Sequence, residues 1–279
     1  MLKKLFRHDF YAILRYWWII IASQVGLSAV AALVLKLVVD TFEAEAGGFL
    51  RVCMILFVCM SAFFIMLAPL VTSLLCYVRF YKNLYTDEGY LTFTLPVKRK
   101  TVLLSKLLTT ALFNLMDILV LFACVLSILL VGFSGTDPSF AALLGQAFQS
   151  LFESFGAGWI VVVLSVLVLL LAWLLLGLSS IFLCITLGAT VFKKLKLLGA
   201  IGIYYAGSFV LQLVLQIFGT FASLFLMEGL IVAYANASTG QGVALTSLLI
   251  LIAAAMVAAL GFFFYFTMLD IVERKLNLP

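Results

Sequence analysis

Six long apolar runs constrain this chain more than any other feature of its sequence. They cover residues 17–39, 52–77, 102–131, 159–189, 197–226 and 243–269. About 20 residues of helix cross the hydrocarbon core of a bilayer, and every run is at least that long. Lipid offers the backbone no hydrogen-bond partner, and the runs lack the alternation of barrel strands, so they are predicted to be helices.

The charge content supports the same interpretation. Only 10% of the 279 residues are charged, whereas 66% are hydrophobic. A soluble domain of this length exposes far more charge to water. The predicted fold class is therefore an all-α integral membrane protein, with residues 1–279 forming a single transmembrane domain of six transmembrane helices.

Lysine and arginine residues predict the orientation of the chain. Fifteen of the 17 lie at the two ends of the chain or in alternate connections between spans. They are Lys3, Lys4, Arg7, Arg15, Arg79, Lys82, Lys98, Arg99, Lys100, Lys106, Lys193, Lys194, Lys196, Arg274 and Lys275. The positive-inside rule then places both termini and the connection between spans two and three in the cytoplasm. The net charge of +5 reflects this topology and gives no reason to expect nucleic-acid binding.

Apolar residues at the N-terminus recur at helical spacing. They are Leu2, Leu5, Phe6, Phe10, Ile13, Leu14 and Trp17. This pattern predicts an amphipathic helix over residues 1–16 that lies in the cytoplasmic membrane interface and leads into the first span. A signal peptide is the alternative, because a basic leader precedes an apolar stretch and the small residues 29–31. The apolar run continues to Val39, which favours the helix.

The sequence lacks the residues that most enzyme sites require. His8 is its only histidine, so a metal site built on paired histidines is excluded. No Gly-Lys dipeptide occurs, which excludes the usual phosphate-binding loop, and no GxSxG motif is present. The five cysteines lie in or at the edges of the spans and form no CxxC pair, so small core residues are expected there. The chain is predicted to have no catalytic or metal-binding residues.

A polar stripe follows one face of the third span. Thr110, Asn114 and Asp117 are spaced four and three residues apart. Three roles are open for this stripe: hydrogen bonds between helices, a place on a translocation path, or proton coupling through Asp117. Gln212 and Gln216 share a face of the fifth span, with helix packing and pathway lining as the alternatives.

Small residues in the fourth span are expected to allow close helix packing. They are Gly177, Ser180 and Gly188.

The connection between spans two and three is the most polar part of the chain. Residues 85–100 read YTDEGYLTFTLPVKRK. A short helix ending near Gly89 is expected there, with Pro96 interrupting what precedes it and Thr101 capping the third span. Its tyrosines, Phe93 and nearby leucines would be unfavourable if left exposed to water. This predicts a short amphipathic element that buries them by docking on a soluble partner. A solvated loop is the alternative.

This region carries a resemblance to a known family. Residues 80–108, FYKNLYTDEGYLTFTLPVKRKTVLLSKLL, resemble the cytoplasmic segment of bacterial permease subunits of ATP-binding-cassette (ABC) exporters, the type-2 ABC transporter permease family. The DEGYL, TLPV and SK elements are similar, and so is the layout of an N-terminal helix, six spans and a long connection after the fifth span. In these exporters the ATPase is a separate polypeptide.

The resemblance implies a coupling helix in residues 79–100 that docks on cytoplasmic ABC ATPase subunits. The positions that would carry coupling are Leu84, Tyr85, Asp87, Glu88, Tyr90, Leu91, Phe93 and Leu95, flanked by Arg99 and Lys106. It also implies a second permease subunit, identical or related, and short re-entrant helices over residues 221–235. The chain itself would bind no cofactor, because ATP and Mg would be bound by the partner ATPase that hydrolyses the nucleotide.

The function implied is the membrane subunit of an exporter in the bacterial cytoplasmic membrane. An apolar pathway with few charges fits an amphipathic, peptide-, drug- or lipid-like substrate moved outward. An ion-coupled secondary transporter using Asp117 is one alternative, and a membrane scaffold or immunity protein that transports nothing is the other.

Overall fold

The computed structural model describes residues 2–43, 48–86, 88–89, 97–136, 138–192, 196–235 and 239–275. Within these ranges the side chains at 42–43, 154–155, 157, 196–197, 218, 221–235, 239 and 275 are not described. The described elements are α1 (Leu2–Glu43), α2 (Gly48–Tyr85), α3 (Arg99–Gly132), α4 (Phe140–Phe155), α5 (Trp159–Val191), α6 (Lys196–Ala235) and α7 (Thr239–Lys275). A single 3₁₀ turn, Gly156–Gly158, joins α4 to α5.

Six of these helices, all except α4, are long and apolar enough to cross a membrane. Each one contains one of the six predicted apolar runs, so the prediction of a multi-pass helical membrane protein is confirmed. Apolar side chains are exposed along the helices, including Ile19 at 68% and Phe122 at 67%. Such surfaces are stable facing lipid and costly facing water.

The helix α4 was not expected from the sequence. Its 16 residues are too few to cross a bilayer. Leu144, Phe148, Leu151 and Phe155 repeat at three- and four-residue steps, and the positions between them include the polar residues Gln146, Gln149, Ser150, Glu153 and Ser154. This pattern is typical of a helix that lies along a membrane surface.

The helix α6 runs without interruption through Lys196–Ala235. The expected short re-entrant helices over residues 221–235 therefore find no support. Between residues 198 and 217 nearly every side chain is half-exposed or exposed, and Ala200 is the buried exception. The side chains of this span are therefore little covered by the described residues of its own unit.

The chain divides into two compact units. The first comprises Met1–Phe80 and Thr101–Ser150, and the second comprises Tyr81–Lys100 and Leu151–Pro279. The connection between α2 and α3 thus belongs to the second unit, while most of the two helices that it joins belongs to the first.

In the first unit, α1 packs against α2 and α3. Ile13, Trp17 and Ile21 of α1 form a buried cluster with Cys76 of α2 and Phe113 of α3. The ring of Trp17 lies edge-on to that of Phe113, with 5.6 Å between centroids. The predicted apolar face of the N-terminal helix is confirmed, but it packs on protein. The helix also continues unbroken into the first span, so a separate interfacial helix is not seen.

The far end of α1 is also tied to its neighbours. Arg51 Nη2 donates a hydrogen bond of 2.6 Å to the Thr41 carbonyl oxygen, near the C-terminus of α1. Carbonyls in the last turn of a helix lack partners within the helix, and a cationic donor satisfies them well. Arg51 is not among the fifteen basic residues that predict the orientation of the chain. This contact explains why an arginine lies at this position. At the same end, a Cβ on Gly132 of α3 would collide with the Leu35 side chain.

In the second unit, α5 packs along α7 and also against α6. The closest approach occurs at Gly188, where an added Cβ would lie 2.6 Å from the Ala200 backbone of α6. A Cβ at Gly261 of α7 would lie 3.4 Å from the Leu176 backbone of α5. Small residues permit such approaches between membrane helices. The prediction is confirmed for Gly188, whereas a Cβ on Gly177 would meet no described residue within 4 Å, so Gly177 allows no close approach in this part of the chain.

We expect Gly188→Ala to destabilise the second unit, because the new methyl group must displace the α6 backbone. Overpacking of this kind costs about 1–3 kcal/mol of the free energy of unfolding. Gly177→Ala in the same helix is the matched control, and its better helix propensity should leave the protein as stable or slightly more stable. Thermal unfolding in detergent measures both, and equal midpoints would contradict the close contact.

Candidate functional site

A buried carboxyl group lies where α1, α2 and α3 meet in the first unit. Asp117 of α3 is 1% exposed, and its Oδ1 accepts a hydrogen bond of 2.7 Å from the indole Nε1–H of Trp17. The buried Thr72 side chain of α2 lies beside it. The Thr72 hydroxyl lies 3.3 Å from the Ala68 carbonyl oxygen of its own helix, and Asp117 Oδ2 has no hydrogen-bond partner among the described residues.

The rest of the polar stripe also faces neighbouring helices. Asn114 Oδ1 accepts a hydrogen bond of 2.7 Å from Ser73 Oγ of α2. Asn114 Nδ2 donates to the Thr110 carbonyl oxygen at 2.9 Å, and the Thr110 side chain lies beside the Cys76 thiol. The structure therefore brings Thr110, Asn114 and Asp117 together against α1 and α2. Their contacts favour hydrogen bonding between helices over the other two roles.

A buried ion pair lies nearer to the N-terminus of α1. Lys106 Nζ of α3 is 2.5 Å from Asp9 Oδ1, and the Ser105 hydroxyl donates to Asp9 Oδ2 at 3.3 Å. The two charged side chains are only 10% and 5% exposed. From the resemblance, Lys106 was expected to flank a coupling helix. In the structure its side chain pairs with Asp9 inside the first unit.

Asp9 was not singled out from the sequence, although a signal was available. It lies on the apolar face of α1, in register with Phe6 and Ile13. A carboxylate at such a position requires a cationic partner from another helix.

The connection between α2 and α3 is held at both ends within the second unit. Tyr85, 7% exposed, donates its hydroxyl hydrogen to Thr186 Oγ1 of α5 at 2.7 Å. Arg99 Nη1 donates to the carbonyl oxygens of Val272 and Glu273, in the last turn of α7, at 2.8 and 3.2 Å.

The residues between these two anchors are described only in part. The Gly89 N–H donates to the Thr86 carbonyl oxygen at 2.7 Å, and a Cβ on Gly89 would collide with the Leu84 backbone at 2.6 Å. Leu84 is fully buried, whereas Glu88 is exposed. Asp87, Tyr90, Leu91, Phe93 and Leu95 lie outside the described residues. Residues 79–85 continue α2, and Glu88 and Gly89 are helical, but most of the predicted coupling segment lies outside the described residues, so the short helix stays a prediction.

Gln212 and Gln216 are both exposed on α6. They share one face of this helix, which spans Lys196–Ala235. Among the side chains that the structure describes, no polar cluster surrounds them.

No group of three His, Cys, Asp or Glu side chains in the described ranges has the arrangement of a metal site. Comparison with protein-family models, with curated proteins and with solved structures finds no match for this chain. The functional argument therefore depends on the geometry of the chain itself.

We expect Trp17→Phe to destabilise the first unit, because it leaves the buried Asp117 carboxyl without its indole donor. The loss of a buried partner costs about 1–3 kcal/mol. Asp117→Leu should cost a similar amount by leaving the indole N–H unpaired. Asp117→Asn keeps an acceptor oxygen and should cost less.

Trp18→Phe is the matched control, since Trp18 is 60% exposed. Unfolding midpoints in detergent compare the four variants. A Trp17→Phe protein as stable as the Trp18→Phe protein would remove the stabilising role of the Trp17–Asp117 bond.

We expect Lys106→Met to be strongly destabilising, because it leaves the Asp9 charge buried without its partner. Breaking a buried pair costs about 3–5 kcal/mol, whereas replacing both members with apolar residues is often close to neutral. The double variant Asp9→Leu with Lys106→Met should therefore be more stable than Lys106→Met alone. Lys98→Met, at an exposed lysine, controls for loss of charge. Additive losses in the double variant would contradict a direct pair.

Proposed function

We propose that this integral membrane protein is the membrane-spanning subunit of an ATP-driven exporter of the ABC type. The observation that carries the proposal is the connection between α2 and α3. It is anchored to α5 through Tyr85 and to α7 through Arg99, yet it continues covalently into the helices of the first unit. A protein that pushes on this segment would act on both units at once.

The anchors suit a segment that transmits force. Tyr85 and Arg99 make their hydrogen bonds at 2.7 and 2.8 Å, so the segment is held at each end by a side chain. Because Leu84 and Tyr85 are buried, their role in coupling is to fix the segment, and docking falls to the residues that follow. Those residues include Tyr90, Leu91, Phe93 and Leu95.

The partner in this proposal is a cytoplasmic ATPase. The chain contains no phosphate-binding loop, so ATP and Mg²⁺ would be bound by the partner, and closure of its subunits would supply the force. By the positive-inside rule, the basic connections favour a cytoplasmic position for the segment and both termini.

A second permease subunit is part of the proposal. Gln212 and Gln216 are exposed on a span whose described side chains are little buried. An amide group facing hydrocarbon lacks hydrogen-bond partners, so these side chains favour a neighbouring protein surface or a water-filled path. A second copy or a related permease facing α6 provides either environment.

The substrate class follows from the scarcity of charge in the spans. A pathway lined mainly by apolar side chains suits an amphipathic peptide, drug or lipid moved outward. An ion-coupled carrier would need Asp117 to exchange its ion with water. That carboxyl is 1% exposed and bonded to Trp17, which favours the exporter.

We expect the full-length chain, extracted from its native membrane in mild detergent, to retain an ATP-hydrolysing protein in equal amount. Phe93→Asp should reduce the retained ATPase about tenfold, as loss of an interface hot spot does. Quantitative mass spectrometry of the purified complex measures the ratio.

Phe49→Asp is the matched control, because Phe49 is 84% exposed and lies at the opposite end of α2 from the segment. It should retain the ATPase. Equal loss with both variants, or full retention with Phe93→Asp, would overturn the coupling assignment. Transport by the purified chain without any ATPase would favour an ion-coupled carrier.

A further inference from the structure

A groove of about 680 Å³ lies in the first unit between the N-terminal part of α1 and the last turns of α2. We call it the basic groove, and define it by the cations Lys4, Arg7, Arg15 and Arg79 with the tyrosines Tyr11 and Tyr16. Its volume falls in the range of small-molecule sites. It lies outside the connection between α2 and α3, and nothing in the proposed coupling mechanism uses it.

The positive charge of the groove is only partly neutralised by the described residues around it, because Asp9 carries one negative charge and contacts both Lys106 and Arg79. Asp9 is the nearest carboxylate, but its Oδ1 is paired with Lys106 at 2.5 Å. Arg79 Nε lies 4.0 Å from the same oxygen, which is too far for a hydrogen bond. This nitrogen is buried and has no hydrogen-bond partner among the described residues. The groove therefore combines four permanent cations with a donor that lacks an acceptor.

One of the cations is already positioned by an aromatic ring. The guanidinium carbon of Arg7 lies 5.6 Å from the centre of the Tyr11 ring. A cation over an aromatic face is held in place while its N–H groups remain able to donate. Arginine donors of this kind match the geometry of phosphate oxygens.

The face of α1 that lines the groove continues as an exposed apolar stripe. Ile19, Val30, Leu33 and Leu37 lie on the same face of α1 as Arg15 and are 68%, 48%, 60% and 55% exposed, and the exposed small residues Ala22, Ser23 and Gly26 occupy this face between Ile19 and Val30. From Ile19 to Leu37 the helix rises about 27 Å, close to the thickness of the hydrocarbon core. Tyrosines are typical of the boundary between headgroups and acyl chains, and Tyr11 and Tyr16 lie where the stripe meets the cations.

We propose that the basic groove binds the headgroup of an anionic phospholipid, with acyl chains lying along the half of the stripe nearest the groove, from Ile19 toward the middle of the bilayer. Arg7, Arg15 and Arg79 contact the phosphate, and Arg79 Nε gains the acceptor that it lacks. The stripe favours a lipid over free phosphate, because free phosphate makes no use of an apolar surface continuous with the cations. The site does not depend on the proposed ATPase.

The test uses native mass spectrometry of the full-length protein in detergent. The probes are phosphatidylglycerol and phosphatidylcholine with identical acyl chains. We expect phosphatidylglycerol to bind about tenfold more tightly, and Arg7→Gln with Arg15→Gln to abolish most of that preference. Arg7→Lys with Arg15→Lys keeps the charges and should retain most of it.

Lys3→Gln with Lys82→Gln is the matched control, since both lysines are exposed and neither lines the groove. It removes the same charge and should change the preference less than twofold. An equal loss in this control, or no preference in the natural protein, would overturn the site. Displacement of phosphatidylglycerol by millimolar inorganic phosphate would assign the groove to a free anion and overturn the lipid proposal. Displacement by a co-purifying acidic protein would do the same.

Discussion

Hydrocarbon cannot complete a hydrogen bond, and the rest of this structure depends on that constraint. Most hydroxyl groups in the spans donate to a carbonyl three or four residues earlier in their own helix, as Ser28 does to Val25 and Thr186 to Phe182. A few polar side chains bond to another helix instead. Lipid chains offer these side chains no alternative hydrogen-bond partner. The few bonds between helices therefore specify which helices lie together and in which register.

The same constraint determines how much the sequence reveals. Helix formation in lipid requires only local residues, so the six spans could be read from the length of their apolar runs. The apolar face of α1 could also be read, because its period of three and four residues is local. Thr110, Asn114 and Asp117 could be placed on one buried face of α3 for the same reason.

The hydrogen-bond partner of each buried polar side chain could not be predicted, because that partner is distant in the chain. Trp17 bonds to Asp117 across 100 residues, and Tyr85 to Thr186 across 101. Asp9 could have been flagged as a carboxylate on an apolar face, but nothing local pointed to Lys106. The helix α4 was missed because a short amphipathic segment is not long enough to be recognised as a span. The exposure of the α6 side chains could not be predicted either. It depends on which helices pack around α6, and a local sequence pattern does not give that information.

The division into two units gives the polar connection an unusual position. Its residues pack with helices that come later in the chain, while the helices it joins pack mainly with each other. The first unit is held together by apolar contacts around Trp17 and by two buried polar pairs. The second contains tight contacts at Gly188 and Gly261 and the two anchors of the connection.

The anchoring of the connection also has a consequence for biosynthesis. Arg99 is bonded to the Val272 carbonyl oxygen, 173 residues further along the chain. At about 5–20 residues per second, a ribosome needs roughly 9–35 s to make that intervening length. The contacts around Trp17 and Lys106 all lie within the first 120 residues, so they can form before this interval ends. The Arg99 end of the connection is therefore locked only after the last helix has been made, whereas its Tyr85 end can be held as soon as Thr186 is in place.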